Sequence, residues 1–186
     1  MSPKENFNSL FVAVVTVTAL LIPTNHAEYC PEGQETCLTE PLLRNASVVT
    51  IVMTNDPQPE QLCQRFQRTS ISEDNNVATY DVTFRNASCD GTPIDANATL
   101  EVEGNTTLRV TYDNESESDL QSILYVVPGN CFVGQSNRTG QTLYMFKFIP
   151  GQPDDCSCIQ KFKELSGGKV TILRDQRICK DIPAEP

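Results

Sequence analysis

Residues Asn76–Arg85 read NVATYDVTFR. Ala78, Tyr80, Val82 and Phe84 fall on one side of an extended chain, and Thr79, Asp81, Thr83 and Arg85 on the other. Alternation this strict is the period-2 signature of an antiparallel strand with one buried face. Downstream, Ala96–Val102 repeats it, setting Ala98, Leu100 and Val102 against Asn97, Thr99 and Glu101. Glu103-Gly104-Asn105 then marks a hairpin, and Thr106–Tyr112 returns with Leu108, Val110 and Tyr112 on its apolar face. Arg109 is expected to point outward.

Working outward, the same kind of short run recurs. Ser47–Thr54 (SVVTIVMT) is β-branched and closes at Asn55-Asp56-Pro57, and Cys63–Ser70 is a more polar run. Leu120–Val127, Cys131–Gln135 and Gln141–Ile149 complete a set of eight strands at regular spacing, which predicts an all-β meandering barrel or sandwich over about residues 47–149. Two segments break the pattern. Asp154–Ser166 (DDCSCIQKFKELS) reads as a helix with Ile159, Phe162 and Leu165 as its apolar stripe, stopped by Gly167-Gly168. Tyr29–Arg44 has a weak periodicity and reads as a short helix. The tail after Cys179 is expected to fray.

Composition narrows the function. The chain has 186 residues, a net charge of −10, 8 Cys, no Trp and 1 His. Such an acidic chain is a poor nucleic-acid binder, because that affinity comes mainly from neutralising phosphates. Residues 1–27 read as a secretory signal: Lys4, then the uncharged run Leu10–Ile22, then a polar exit to a cut after Ala27. That run is too short to span a membrane, which takes about 20 residues. The expected product is a soluble, secreted domain of residues 28–186, either monomer or homodimer. Sequons at Asn45, Asn86, Asn97, Asn105, Asn114 and Asn137 agree with passage through the secretory route.

Catalysis is poorly served. The one histidine, His26, leaves with the signal, so no Ser-His-Asp or Cys-His pair of the common type remains. Cys156-Ser-Cys158 lacks the usual C-x-x-C metal spacing, and the even cysteine count favours disulfides, for which 105 pairings are open. Glu101/Glu103 and Glu115/Glu117 read as solvated faces rather than a glycosidase pair. No enzyme activity, metal or cofactor is expected.

The apolar faces carry no Asp, Glu, Lys or Arg. An eight-stranded barrel is wide enough either to be filled by side chains or to hold one small ligand, and such a lining suits an uncharged lipid. The expected ligand-binding residues are Tyr80, Val82, Phe84, Leu100, Val102, Leu108, Val110, Tyr112, Leu124 and Phe146. A cationic amine would want buried carboxylates and aromatic faces, and a fatty carboxylate an inward cation. Lys147 is the one strand cation whose direction the pattern leaves open.

In this order, IVMTNDP, Cys63, SISEDNNVATYDVTFRNAS, ILYVVPGNCFVG and the terminal block CSCIQKFKELSGGKVTILRDQRIC resemble the tick salivary lipocalins over about residues 30–179. The terminal block is especially similar to the soft-tick complement inhibitor and moubatin group. The resemblance implies an eight-stranded antiparallel lipocalin barrel with a C-terminal helix packed on it. It also implies the bridges Cys63–Cys179, Cys131–Cys158 and Cys30–Cys156, leaving Cys37–Cys89 as a fourth beyond the family's three. Family members sequester amines or leukotrienes, block complement, or, in the Japanin-like group, modulate dendritic cells and carry cholesterol. Lack of Trp and of inward acids departs from the amine binders, and lack of His from some leukotriene binders. The expectation is therefore a Japanin-like immunomodulator carrying a small apolar ligand, a sterol by preference. The alternatives are an amine or leukotriene scavenger, or a complement inhibitor that engages a host immune-cell or plasma protein through surface loops.

Overall fold

The computed structural model describes residues 39–87, 92–113, 115–138, 142–149 and 156–182. A short helix, α1 (Thr39–Asn45), leads into strands β1 (Val48–Thr54), β2 (Gln61–Ile71), β3 (Val77–Asn86) and β4 (Ile94–Gly104). Then come β5 (Thr107–Tyr112), β6 (Asp119–Val127), β7 (Cys131–Ser136) and β8 (Thr142–Ile149), followed by helix α2 (Cys156–Leu165) and a two-residue β9 (Thr171–Ile172). Every neighbouring pair from β2 to β8 is antiparallel, and β1 pairs with both β8 and β2, so eight strands close into a barrel. Closure removes the free edges that an open sheet would expose. The ninth strand, which the pattern did not reveal, adds to the outside of β1 through Met53↔Ile172 and Thr54↔Thr171. Among the described residues no helix is long and apolar enough to cross a membrane.

The alternation read in β3 holds through Val82, with Ala78, Tyr80 and Val82 buried to 1% exposure or less. Beyond it Phe84 is only partly buried, and Arg85, expected on the solvent side, is 9% exposed and paired with Asp181 of the C-terminal segment. In β6 it fails. Ile123 opposes Gly134 and Tyr125 opposes Val133, so Leu124 is an extra residue bulged out of the ladder. A one-residue bulge exchanges the two faces. Val126 faces the interior beyond it, but before it the inward residues are Asp119, Gln121 and Ile123, and Leu124 is 37% exposed. The expectation that Leu124 lines the barrel is therefore corrected, and so is the expectation of an interior free of acids.

One end of the barrel is closed by α1, which sends Leu42 and Leu43 into the main core, followed by Ala46 just after the helix. The Arg68 guanidinium donates to the carbonyls of Leu43 and Arg44 at 2.6 and 2.9 Å, satisfying the open end of that helix. Tyr80 donates its hydroxyl to the Ala46 carbonyl at 2.9 Å. Burial pushes the Tyr80 pKa up to about 12, against a smaller opposing pull from Arg68. A raised pKa means the neutral form is favoured by folding, so this stabilisation is complete below pH 10. It is lost as pH rises from 10 to 12, by about 2–3 kcal/mol. Urea unfolding across that window is expected to show the loss, and Tyr80→Phe to reduce it. An alkaline loss of equal size in the variant would remove Tyr80 as its source.

On the outside, α2 lies against β6, β7 and β8. Phe162 and Cys158, four residues apart on one face, are fully buried against Val133, Leu143 and Met145. The stripe is narrower than expected: Ile159 is partly buried in it, but Leu165 is 38% exposed. Gly167 and Gly168 end the helix at positive φ, with the Gly168 amide donating to the Lys163 carbonyl.

Two of the implied bridges are present, Cys63–Cys179 and Cys131–Cys158. Cys30–Cys156 and Cys37–Cys89 lie outside the described side chains, as does the signal segment. Cys63 sits at φ 59° in a bulge, where Cys63 and Gln64 of β2 oppose the single residue Phe84 of β3. Its amide turns to the Leu173 carbonyl and its sulfur to the C-terminal segment. That segment is ordered further than expected. Ile182 is 2% exposed, Arg174 donates to its carbonyl, and Asp181 pairs with Arg85.

Candidate functional site

The barrel interior narrows to a cavity of about 30 Å³ toward the closed end. Five of the expected ligand residues line it: Tyr80, Leu100, Leu108, Val110 and Phe146. Val82 is buried in the same core at 1% exposure, and Phe84, Val102 and Tyr112 pack against that core outside the cavity lining. The remaining wall comes from residues the sequence reading did not single out. Leu42 and Ala46 close the floor, Val49, Phe66 and Phe132 fill the sides, and Gln121 supplies an amide. Phe132 was accessible from the alternation of CFVGQ. Gln121 was hidden by the bulge at Leu124.

Aromatic rings set the cavity's size. Phe132 and Phe146 stack with centroids 4.1 Å apart, and Phe66 meets Tyr80 edge-on at 6.4 Å. Gly134 permits the stack, because a Cβ there would stand 3.3 Å from the Phe146 ring. Ligand pockets typically run from about 300 to 1,000 Å³, so the side chains occupy most of this interior.

The open end is different in character. The Asp119 carboxylate, 9% exposed, accepts from the Arg138 amide at 3.2 Å and from the Gln121 side-chain amide at 3.3 Å. Tyr112 lies close by. Burial raises its pKa, and the charges of Glu115 and Asp119, together with Tyr144, push in the same direction. Tyr144 in turn is 6.3 Å from the Phe146 ring. Across the rim, Arg138 pairs with Glu115 and ties the β5–β6 loop to the β7–β8 loop. Polar and aromatic groups thus stand above an apolar floor.

Lys147 does not enter the barrel. It alternates with Phe146 and Phe148, which are in the core, and lines a groove on the outer wall instead. An inward lysine for a fatty carboxylate is therefore ruled out in this conformation. Arg109 is outward as expected, paired with Glu103. Among the described sequon positions, Asn45, Asn86, Asn97, Asn105 and Asn137 are exposed, and Asn114 lies outside the described residues.

No family model matches the chain, and no curated protein matches it. Among solved structures it is similar to AM182 in complex with serotonin, at 17% identity, 80% of this chain and 92% of that one, and a TM-score of 0.57. It is also similar to lobster apocrustacyanin A1, at 19% identity, 69% and 76% coverage, and a TM-score of 0.50. A third is the bovine lipocalin allergen Bos d 2, at 10% identity, 75% and 96% coverage, and a TM-score of 0.50. These likenesses establish the fold, a lipocalin barrel with its helix packed outside.

Proposed function

We propose that the protein is a secreted, glycosylated lipocalin that carries one small apolar ligand in its barrel, a sterol by preference, and modulates the host immune response. One observation carries the ligand class. The cavity is lined without any charged side chain, and its two polar groups, the Tyr80 hydroxyl and the Gln121 amide, are hydrogen-bonded within the protein. An uncharged ligand therefore loses nothing in desolvating them. A sterol needs more room than the present cavity offers, so this reading requires the stacked Phe132 and Phe146 rings to move apart on binding. The immune role is supported by the resemblance of the cysteine, strand and helix order to the Japanin-like group, and secretion and glycosylation by the exposed sequons.

The test is native mass spectrometry of the secreted, deglycosylated protein, followed by organic extraction. A stoichiometric sterol is expected. A protein that carries no lipid and takes up no added sterol would overturn the carrier reading.

A second reading has its own observation. Asp119, buried beside Tyr112 and near Tyr144, offers a carboxylate and aromatic faces at the barrel mouth, which suits a small aromatic amine. AM182, the similar protein in complex with serotonin, supports it. Asp119→Asn separates the two. Under this second reading it lowers amine affinity about tenfold or more, as expected for removing a charge-assisted hydrogen bond of about 1.5–3 kcal/mol. Under the first it leaves sterol uptake unchanged. Calorimetric titration with serotonin reads the difference.

A further inference from the structure

A second concavity lies outside the barrel. A groove of about 490 Å³ runs along the outer wall of β1 and β8, walled by α2 on one side and by the segment after β9 on the other. Its floor is apolar, made by Val52, Met53, Met145 and Ile159. Its charged side chains are of one sign, beside the neutral Thr50 and Gln176. Lys147, Arg174 and Lys180 line it, and no Asp or Glu does among the described residues. In a chain of net charge −10 this concentration is unexpected from composition.

The fold builds the arrangement from distant parts of the sequence. In the ladder Thr50, 1% exposed, stands between Arg65 on β2 and Lys147 on β8, which brings two cations to one stretch of outer wall. Arg174 is held above them by the Cys63 and Ile182 carbonyls rather than by a carboxylate. Burial lowers its pKa, and the charge of Arg65 adds to the effect. The Cys63–Cys179 bridge anchors the segment that carries Arg174 and Lys180. The volume falls within the range of small-molecule pockets.

We propose that this groove binds the free, monomeric anion of a long-chain carboxylic acid, with its alkyl chain on the methionine floor and its carboxylate among Lys147, Arg174 and Lys180. An apolar floor under a cationic rim is complementary to that ligand and to neither half of it alone. The alkyl chain gains by burial, and the carboxylate by charge-assisted hydrogen bonds. The site is separate from the barrel, so it stands whether or not the barrel carries a sterol.

The chain's three methionines are Met1, Met53 and Met145, so methyl-labelled methionine reports almost wholly on the groove floor. The experiment titrates the full secreted protein with a stearate carrying a nitroxide near its methyl end. The Met53 and Met145 methyl signals are expected to broaden in a saturable way. Leu108 and Val110, which line the barrel cavity, should not respond. Unlabelled dodecanoate should bind at least tenfold more tightly than dodecanol, and the difference should shrink at high salt. Lys147→Glu with Lys180→Glu should weaken dodecanoate about tenfold or more. Lys180→Glu alone, at an exposed position, provides the reading if the pair does not fold. Broadening confined to Leu108 and Val110 would place the ligand in the barrel and overturn the proposal. Equal affinity for dodecanol, no effect of charge reversal, or no binding at all would do the same.

Discussion

Removing the Cys63–Cys179 bridge, as Cys63→Ala with Cys179→Ala, is expected to cost more stability than any other change proposed for this protein. Its partners are 116 residues apart in sequence. In the chain-entropy model, a cross-link closing a loop of about 100 residues contributes about 4.7 kcal/mol by restricting the unfolded chain. Total stabilities of natural domains run from about 5 to 15 kcal/mol, so the loss is a large fraction of the whole. The local setting adds to it. Cys63 and Cys179 are buried with Ile182, and the same segment carries the Arg85–Asp181 pair. The Cys131–Cys158 bridge spans only 27 residues and should cost about 1 kcal/mol less on the same model. Differential scanning calorimetry of the two double variants checks both the size and the order. Equal costs, or a loss below about 2 kcal/mol for the longer loop, would show that unfolded-state entropy does not dominate here.

Phe162→Ala is expected to have the second largest effect. Among the described side chains of α2, Phe162 is the one large group buried completely, and it packs on Val133, Leu143 and Met145 of the outer barrel wall. Truncating a buried phenylalanine costs about 3–5 kcal/mol through lost burial and the cavity left behind. The barrel interior is untouched by the change, and Cys131–Cys158 still tethers the helix. Two measurements therefore separate a global loss from a local one. The urea midpoint is expected to fall, and hydrogen exchange to accelerate first in α2. A loss below about 1 kcal/mol would show that α2 is a tethered appendage and not part of the cooperative core.

Much of the barrel was legible because strand signals are local. From Ala78 to Arg85 in β3, and through β4 and β5, polar and apolar residues alternate, and the structure keeps those registers from Val77↔Glu101 through Leu100↔Val110. The helix was legible from its stop at Gly167-Gly168 and from Phe162. Leu124 was misplaced for an equally clear reason. An apolar residue in an apolar run, ILYVV, gives no sign that the ladder skips it, because a bulge is settled by pairing with β7 and not by composition. The same skip turned Asp119 and Gln121 inward, so the polar part of the candidate site was the part least visible from the sequence.

By itself, then, the sequence determined the eight barrel strands, the antiparallel order that their short connections allow, and the uncharged character of most of the lining. These follow from a period of two and from turn residues, which act over a few positions. The tertiary structure alone decided how much of the interior is filled, which acid reaches the mouth, and that Lys147 meets Arg174 and Lys180 outside the barrel. Those outcomes depend on bulge positions, on closure of β1 against both β2 and β8, and on a disulfide that carries the C-terminal segment back across the wall. Each couples residues far apart in the chain, and no local pattern encodes where they meet.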